Sequence, residues 1–202
     1  MDSQHWDERY SGTDFVPNTR PNQFVAAELA GLAPGRALDL AAGAGRNTVW
    51  LAERGWRVSA VDFSPVGLDH GRKLSAARGV DVAQVDWIVA DLGDYEPEPA
   101  AYDLALVSYL QVPPQLRATV LGRAAAALVP GGTAFVIGHD LANLTEGVGG
   151  PQDPAVLYTP EAIRAELPGL RILRAERVHR TVEQDDGAAT AVDTLVRAVR
   201  EA

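Results

Sequence analysis

The sequence predicts a single α/β domain with a central seven-stranded sheet, five parallel strands followed by a C-terminal antiparallel hairpin. Three observations predict it. Short apolar runs alternate with helical patterns between Ala37 and Gly138, the order that builds a parallel sheet. The first run, Ala37-Leu38-Asp39-Leu40, passes through a glycine turn, Gly43-Ala44-Gly45, directly into a helical pattern. Near the C-terminal end, two alternating runs flank Gln184-Asp185-Asp186-Gly187, which reads as a hairpin.

Taken in order, His5 to Thr19 holds Trp6, Tyr10 and Phe15 among charges, with a break at Gly12-Thr13. It is expected to form a helix and then a loop lying across the sheet. Pro21 suits the first turn of a helix running to about Leu32 and ended by Ala33-Pro34-Gly35. After the first strand, Val49, Trp50 and Ala52 fall at helical spacing from Arg46 up to Arg54 and Gly55. Arg57 to Val61 is the second strand, ending in Asp62, and Ser64-Pro65 then supplies a cap and a first-turn proline. That helix continues through Leu68 and Leu74 to Gly79.

The third strand, Val85 to Ala90, leads into Asp91-Leu92 and a Pro- and Glu-bearing loop from Gly93 to Ala101. Tyr102 to Val107 is nearly all apolar, as a strand buried on both faces should be. Pro113-Pro114 open an alanine-rich helix that stops at Pro130-Gly131-Gly132, and Thr133 to Gly138 is the fifth strand. A long Gly/Pro/Asp loop spans His139 to Pro160, followed by a short helix to Leu167. The hairpin strands are expected over Leu170 to Arg180 and Thr190 to Arg200.

Composition narrows the function. At 202 residues the chain suits one domain with a full core, and 47% hydrophobic residues argue against disorder. It contains no cysteine, which excludes disulfides, thiolate metal sites and a cysteine nucleophile. The net charge of -9 and the lack of a Lys/Arg cluster argue against a nucleic-acid partner. No apolar run is long enough to span a bilayer and Met1-Asp2-Ser3-Gln4 is no signal-peptide start, so a cytoplasmic protein with no membrane partner is expected. It is expected to be a monomer or homodimer. No His/Asp/Glu spacing suggests a metal site.

The glycine turn carries the chemistry. Strand, glycine turn and helix let backbone approach a ligand closely, because glycine has no Cβ and tolerates positive φ. The N–H groups opening the helix then face whatever is bound. Asp62, at the end of the neighbouring strand, stands where a ribose diol would bond it.

This order, with its final hairpin, resembles the class I S-adenosylmethionine-dependent methyltransferases, a Rossmann-like fold, over essentially the whole chain. Leu38-Asp39-Leu40-Ala41-Ala42-Gly43-Ala44-Gly45 is similar to their first motif, Asp62 to their ribose-binding acid, and Asp91-Leu92 to their adenine-flanking pair. Pro130-Gly131-Gly132 matches the break before their fifth strand. A nearer resemblance is to the small tellurite-resistance methyltransferases, through Gly45-Arg46-Asn47, the Trp/Tyr-bearing N-terminal segment and the His179-Arg180 pair. In that group a second arginine follows the hairpin turn, and here Ala188 and Ala189 stand instead, so the implied oxyanion-binding pair is incomplete.

The resemblance implies S-adenosylmethionine as cofactor, S-adenosylhomocysteine as product and a small-molecule acceptor such as a thiol, a metalloid oxyanion or another small metabolite. The implied cofactor residues are Asp39, Ala41, Gly43, Gly45, Arg46, Asn47, Asp62, Phe63, Ser64, Asp91, Leu92 and Ser108, with Trp6 and Tyr10 from an N-terminal lid over residues 1–20. Asp39 would take the methionine amino group and Arg46 the carboxylate, while Phe63 and Leu92 flank adenine. Residues 36–138 form the cofactor core, and 139–202 the acceptor-side loop and hairpin. Tyr109, His139, His179 and Arg180 are expected to converge on the acceptor. Methyl transfer from a sulfonium mostly requires alignment and exclusion of water, with a base only where a proton must leave. Ser108-Tyr109-Leu110-Gln111 lacks the Asn/Asp-Pro-Pro-aromatic motif of the DNA amino methyltransferases, which agrees with the acidic charge. Two alternatives stand beside this reading. A nicotinamide-dependent oxidoreductase would share the glycine turn but not Thr48 at its third glycine position, and a non-catalytic S-adenosylmethionine-binding module would have its acceptor pocket filled by large apolar side chains.

Overall fold

The computed structural model describes residues 3–12, 18–184 and 187–201. Seven strands form one sheet: β1 (Arg36–Leu40), β2 (Arg57–Asp62), β3 (Val85–Val89), β4 (Tyr102–Ser108), β5 (Leu128–His139), β6 (Leu170–Gln184) and β7 (Gly187–Arg200). Their order is β3-β2-β1-β4-β5-β7-β6. The first five run parallel; β7 pairs antiparallel with β5, and β6 antiparallel with β7.

The helices are α1 (Ser3–Ser11), α2 (Gln23–Leu29), α3 (Arg46–Ala52), α4 (Pro65–Ala77), α5 (Pro114–Ala127), α6 (Asn143–Glu146) and α7 (Pro160–Ala165). Both faces of the sheet are covered, so alternate residues of β4 enter different cores. Ala105 and Val107 pack with Leu38, Leu121 and Val136, whereas Leu104 and Leu106 pack with Leu51, Trp56 and Phe135. That explains why β4 reads as a continuous apolar run.

Four boundaries differ from expectation, each for a local reason. The second helix starts after Asn22, not at Pro21, because the Asn22 carboxamide accepts from the N–H groups of Phe24 and Val25. Pro130-Gly131-Gly132 lies inside β5. The β4 pairing jumps from Tyr102↔Leu128 to Leu104↔Thr133, so the chain bulges there without leaving the sheet. Both hairpin strands are longer than expected and pair as far as Gln184↔Gly187. The long loop after β5 contains α6 and returns through a bridge between Asp140 and Tyr158.

One packing constraint positions the glycine loop. A Cβ on Gly45 would lie 2.6 Å from Trp87 Cη2 and 2.8 Å from the Gly71 Cα, and one on Gly71 would strike the Trp87 ring. Gly45, Gly71 and Trp87 thus interlock α3, α4 and β3 with no room for another carbon. Gly71→Ala should therefore lower stability by about 1–3 kcal/mol, measured by urea denaturation. An unchanged midpoint would show that Trp87 moves aside freely.

Candidate active site

A cavity of about 1340 Å³ opens beyond the carboxyl ends of the parallel strands. It lies where the strand order reverses between β1 and β4, the place at which open α/β sheets bind ligands. Two non-glycine residues adopt left-handed backbone there: Ala41 after β1 (φ 61°) and Tyr109 after β4 (φ 55°). Such strain clusters at functional sites.

On one side the wall is built from the glycine loop and the ends of β2 and β3. Gly43 has φ 54°, and its N–H donates to Asp62 Oδ2 at 2.9 Å, while Asp62 Oδ1 accepts from Ser64 N at 2.9 Å. Burial raises the Asp62 carboxyl above its ordinary range, against the opposing pull of backbone N–H groups from Ser64, Gly43 and Phe63. The Ser64 hydroxyl accepts from Gly67 N and donates to Asp7, which fastens α1 across the start of α4. Tyr10 of α1 then covers the loop. A Cβ on Gly43 would lie 2.7 Å from its hydroxyl, and one on Gly67 2.9 Å from its Cε2. Burial, and then Asp62, push the Tyr10 hydroxyl up.

Trp6, Tyr10, Ala41, Gly43, Arg46, Asn47, Asp62, Phe63, Asp91, Leu92 and Ser108 all line the cavity. Asp39, Gly45 and Ser64 stand behind its wall. Gly45 takes part in the packing just described. Asp39 is buried, its Oδ2 accepts from the Thr48 hydroxyl at 2.5 Å, and its Oδ1 has no hydrogen-bond partner. Burial pushes its carboxyl up to about 7. Arg46 is a half-buried cation with no carboxylate at ion-pair distance among the described residues, and burial lowers its proton affinity. The loop after β3 is held by Arg123 Nη1, which donates to the carbonyls of Leu92, Gly93 and Tyr95 at 3.3, 2.7 and 3.1 Å. Phe15 lies outside the described residues.

The other end is built around Asp193 of β7, which has no exposed surface. Its Oδ2 accepts from the Tyr109 hydroxyl and from Arg180 Nε, each at 2.8 Å. Its Oδ1 lies 3.3 Å from His139 Nδ1, within ion-pair range but off the line of a straight hydrogen bond. Burial raises the Asp193 carboxyl, yet the donors His139, Arg180 and Tyr109 outweigh it and hold the group below the usual range. The Tyr109 hydroxyl also accepts from Asn22 Nδ2 at 2.9 Å, and burial followed by Asp193 pushes it up. Asn22 N donates to Asn47 Oδ1 at 2.9 Å, and Asn47 Nδ2 to Ser108 Oγ at 3.2 Å. One hydrogen-bonded chain therefore crosses the cavity wall from the hairpin to the glycine-loop helix.

Tyr109, His139 and Arg180 meet as expected, but His179 does not join them. Neighbours on an extended strand project to opposite faces. Arg180 enters the cavity wall, so His179 is exposed and stands outside it. Asp193, Asn22 and Asn143 were not singled out by the sequence. Asp193 alone carried a signal, as the one acid in the otherwise apolar run Ala191 to Val196 apart from Thr194.

Residues 37–132 match a family model described as a methyltransferase domain. Among solved structures the chain is similar to a protein studied for the conversion of a disulfide bond into a thioacetal group during echinomycin biosynthesis. The two are 22% identical over 98% of this chain and 92% of that one, with a TM-score of 0.77. It is also similar to the N-methyltransferase NodS from Bradyrhizobium japonicum in complex with S-adenosyl-L-homocysteine, at 18% identity over 98% and 97% of the chains and a TM-score of 0.70. For TehB from Haemophilus influenzae the values are 12%, 98%, 67% and 0.71. Those identities speak for the fold. The domain match, over just under half of the chain, and the shared architecture make this a class I methyltransferase fold, and the ligand of the NodS complex is S-adenosyl-L-homocysteine. The nicotinamide alternative is not favoured.

The residues present fit that ligand. An uncommitted cation, a buried orphaned carboxylate oxygen, an acid at the end of β2 and two apolar side chains suit a zwitterionic tail joined to a nucleoside. Among the described residues no helix is long and apolar enough to cross a membrane.

Two outcomes follow from this geometry. Asp39 binds its proton more tightly folded than unfolded, so it destabilises the fold progressively as pH rises from about 4 to about 7. Asp39→Asn should match the parent in thermal melts below that window and exceed it above; equal melting temperatures at pH 8 would refute the buried acid. His179→Ala should leave cofactor affinity and turnover unchanged in parallel calorimetric and rate measurements.

Proposed function

We propose that the chain transfers a methyl group to a small-molecule acceptor (a thiol, a metalloid oxyanion or another small metabolite) held at the Tyr109–His139–Arg180 end of the cavity. The observation that carries this reading is the continuity of one cavity from the Gly43–Asp62 loop to that polar end. The lining there is polar and open, unlike the apolar plug expected of a binding-only module.

When bound, the cofactor supplies an electrophilic methyl on a sulfonium. Asp62 takes the ribose hydroxyls beside the Gly43 backbone, and Phe63 and Leu92 flank the adenine, with Asp91 at its edge. Arg46 pairs with the methionine carboxylate. Asp39 reaches the amino group from behind the wall, through its orphaned Oδ1 or an intervening water. Ala41, Asn47 and Ser108 shape the middle of the cavity, while Gly45 and Ser64 support the loop. Trp6 and Tyr10 exclude water as part of a lid over residues 1–20, against a cofactor core of 36–138 and an acceptor side of 139–202 within one domain. A monomer or homodimer acting in the cytoplasm completes the reading.

Asp62→Asn removes the charge that strengthens the ribose bonds and keeps one of the two acceptors that hold the Gly43 and Ser64 N–H groups. Affinity for S-adenosylmethionine should fall by about 1–3 kcal/mol in calorimetry. Equal affinity in variant and parent would refute the role of Asp62, and no binding by the parent would refute the whole reading.

A further inference from the structure

We propose that His139 is the proton acceptor of the methyl transfer and Asp193 its positioning residue, so that the acceptor carries an X–H bond as a thiol, an amine or a hydroxyl. This rests on the methyltransferase reading and narrows its acceptor.

His139 and Asp193 face each other in the β5–β7 register. Asp193 Oδ2 is already occupied by Tyr109 and Arg180, which leaves Oδ1 as the open acceptor, with His139 Nδ1 3.3 Å away at ion-pair distance. Neither of those two atoms has a hydrogen-bond partner, so a small turn of the ring would pair them with each other. A proton on Nδ1 puts the lone pair on Nε2, because a neutral imidazole carries one of each. Nδ1 is buried and His139 lines the cavity, which leaves Nε2 as the ring nitrogen available to an acceptor.

The ring is also clamped on its flanks. Tyr109 packs against it with centroids 4.9 Å apart. Gly150, at φ 76°, lies so close that a Cβ there would be 3.0 Å from three ring atoms. Asn143 fixes that segment, since its Nδ2 donates to Gly149 O at 2.8 Å and its Oδ1 accepts from Val192 N at 2.7 Å. A side chain held by a carboxylate, an aromatic ring and a glycine backbone has the preorganisation that general-base catalysis uses.

The surrounding charges support the same assignment. Tyr109 borders the ring, and Asp193 stands beside it as the counter-charge for the imidazolium that proton transfer creates. Arg180 is already engaged by Asp193, so a metalloid oxyanion would meet a cation that is in use. In the step, the X–H proton passes to His139 Nε2 and the X lone pair forms the bond to the methyl carbon. The carbon–sulfur bond breaks with its electron pair going to sulfur, and the imidazolium returns its proton to water.

The test uses the full chain labelled with ¹⁵N-histidine, the His139 signals being assigned by comparison with H139Q. The expected result is an Nδ1–H tautomer in the parent that is lost in D193N. Benzyl mercaptan, benzylamine, phenol and inorganic tellurite are then offered with S-adenosylmethionine, and release of S-adenosylhomocysteine is followed against pH. An X–H probe should be turned over with an acid limb in its pH profile. H139Q should lower kcat by about 10²-fold or more and abolish that limb, while its calorimetric affinity for S-adenosylmethionine stays within about twofold. Should D193N not fold, H139Q carries the kinetic arm. An Nε2–H tautomer in the parent, turnover of tellurite alone, or an unimpaired H139Q overturns the proposal, and the tautomer decides if no probe is methylated. Failure of the parent to bind S-adenosylmethionine overturns the methyltransferase reading instead.

Discussion

The carboxylate of Asp193 has no exposed surface, and a charge removed from water in this way is tolerated only when donors replace the lost hydration. Three strands contribute those donors: Tyr109 follows β4, His139 ends β5 and Arg180 lies on β6. The requirement extends further. The Tyr109 hydroxyl, having donated to Asp193, accepts from Asn22, whose backbone binds Asn47, which in turn reaches Ser108. Leaving a buried charge without its partner typically costs about 3–5 kcal/mol. That penalty ties the hairpin, the cap of α2 and the first turn of α3 into one arrangement around the cavity.

The two ends of the cavity are fixed by different physics. At the glycine loop the constraint is steric: Tyr10 and Trp87 occupy the space that side chains on Gly43 and Gly45 would need. At the acceptor end it is electrostatic, through a buried carboxylate flanked by Tyr109, Arg180 and His139. Strained backbone sits at the junction, with Ala41 and Tyr109 left-handed just after the two adjacent central strands. Tyr109 is held in that conformation from both sides, by its N–H donating to Ile137 O at 2.7 Å and by its hydroxyl between Asn22 and Asp193. A side chain over-determined in this way keeps its position whether or not a ligand is present.

Much of this architecture was legible because it depends on local pattern. Apolar runs of strand length, the Ser64-Pro65 cap and the turn at Gln184 to Gly187 each specify an element from neighbouring residues. What escaped depends on contacts distant in sequence. Asn22 reads as an ordinary polar residue after proline, and only the fold brings it to Tyr109, 87 positions away. Asn143 reads as loop and becomes a two-ended anchor between β7 and Gly149. His179 and Arg180 look alike as a pair, but the period of two along β6 sends them to opposite faces. The packing role of Gly45 was hidden for a related reason. Trp87 and Gly71, which exclude a side chain there, lie on other elements.

Charge then decides what the acceptor end can do. Arg180 is committed to Asp193 and stands over the Tyr109 ring, 5.8 Å from its centroid. Arg46 is the nearby cation without a carboxylate at ion-pair distance among the described residues, but it opens α3 on the cofactor side, where a carboxylate-bearing ligand would engage it. After the hairpin turn, Ala188 and Ala189 offer no second positive charge. An oxyanion entering the acceptor end would have to compete with Asp193 for Arg180, and freeing Arg180 would expose the buried carboxylate to the penalty described above. A neutral X–H group makes no such demand. It needs only an oriented lone pair, and the imidazole of His139 lies in the wall with its Nδ1 turned toward Asp193.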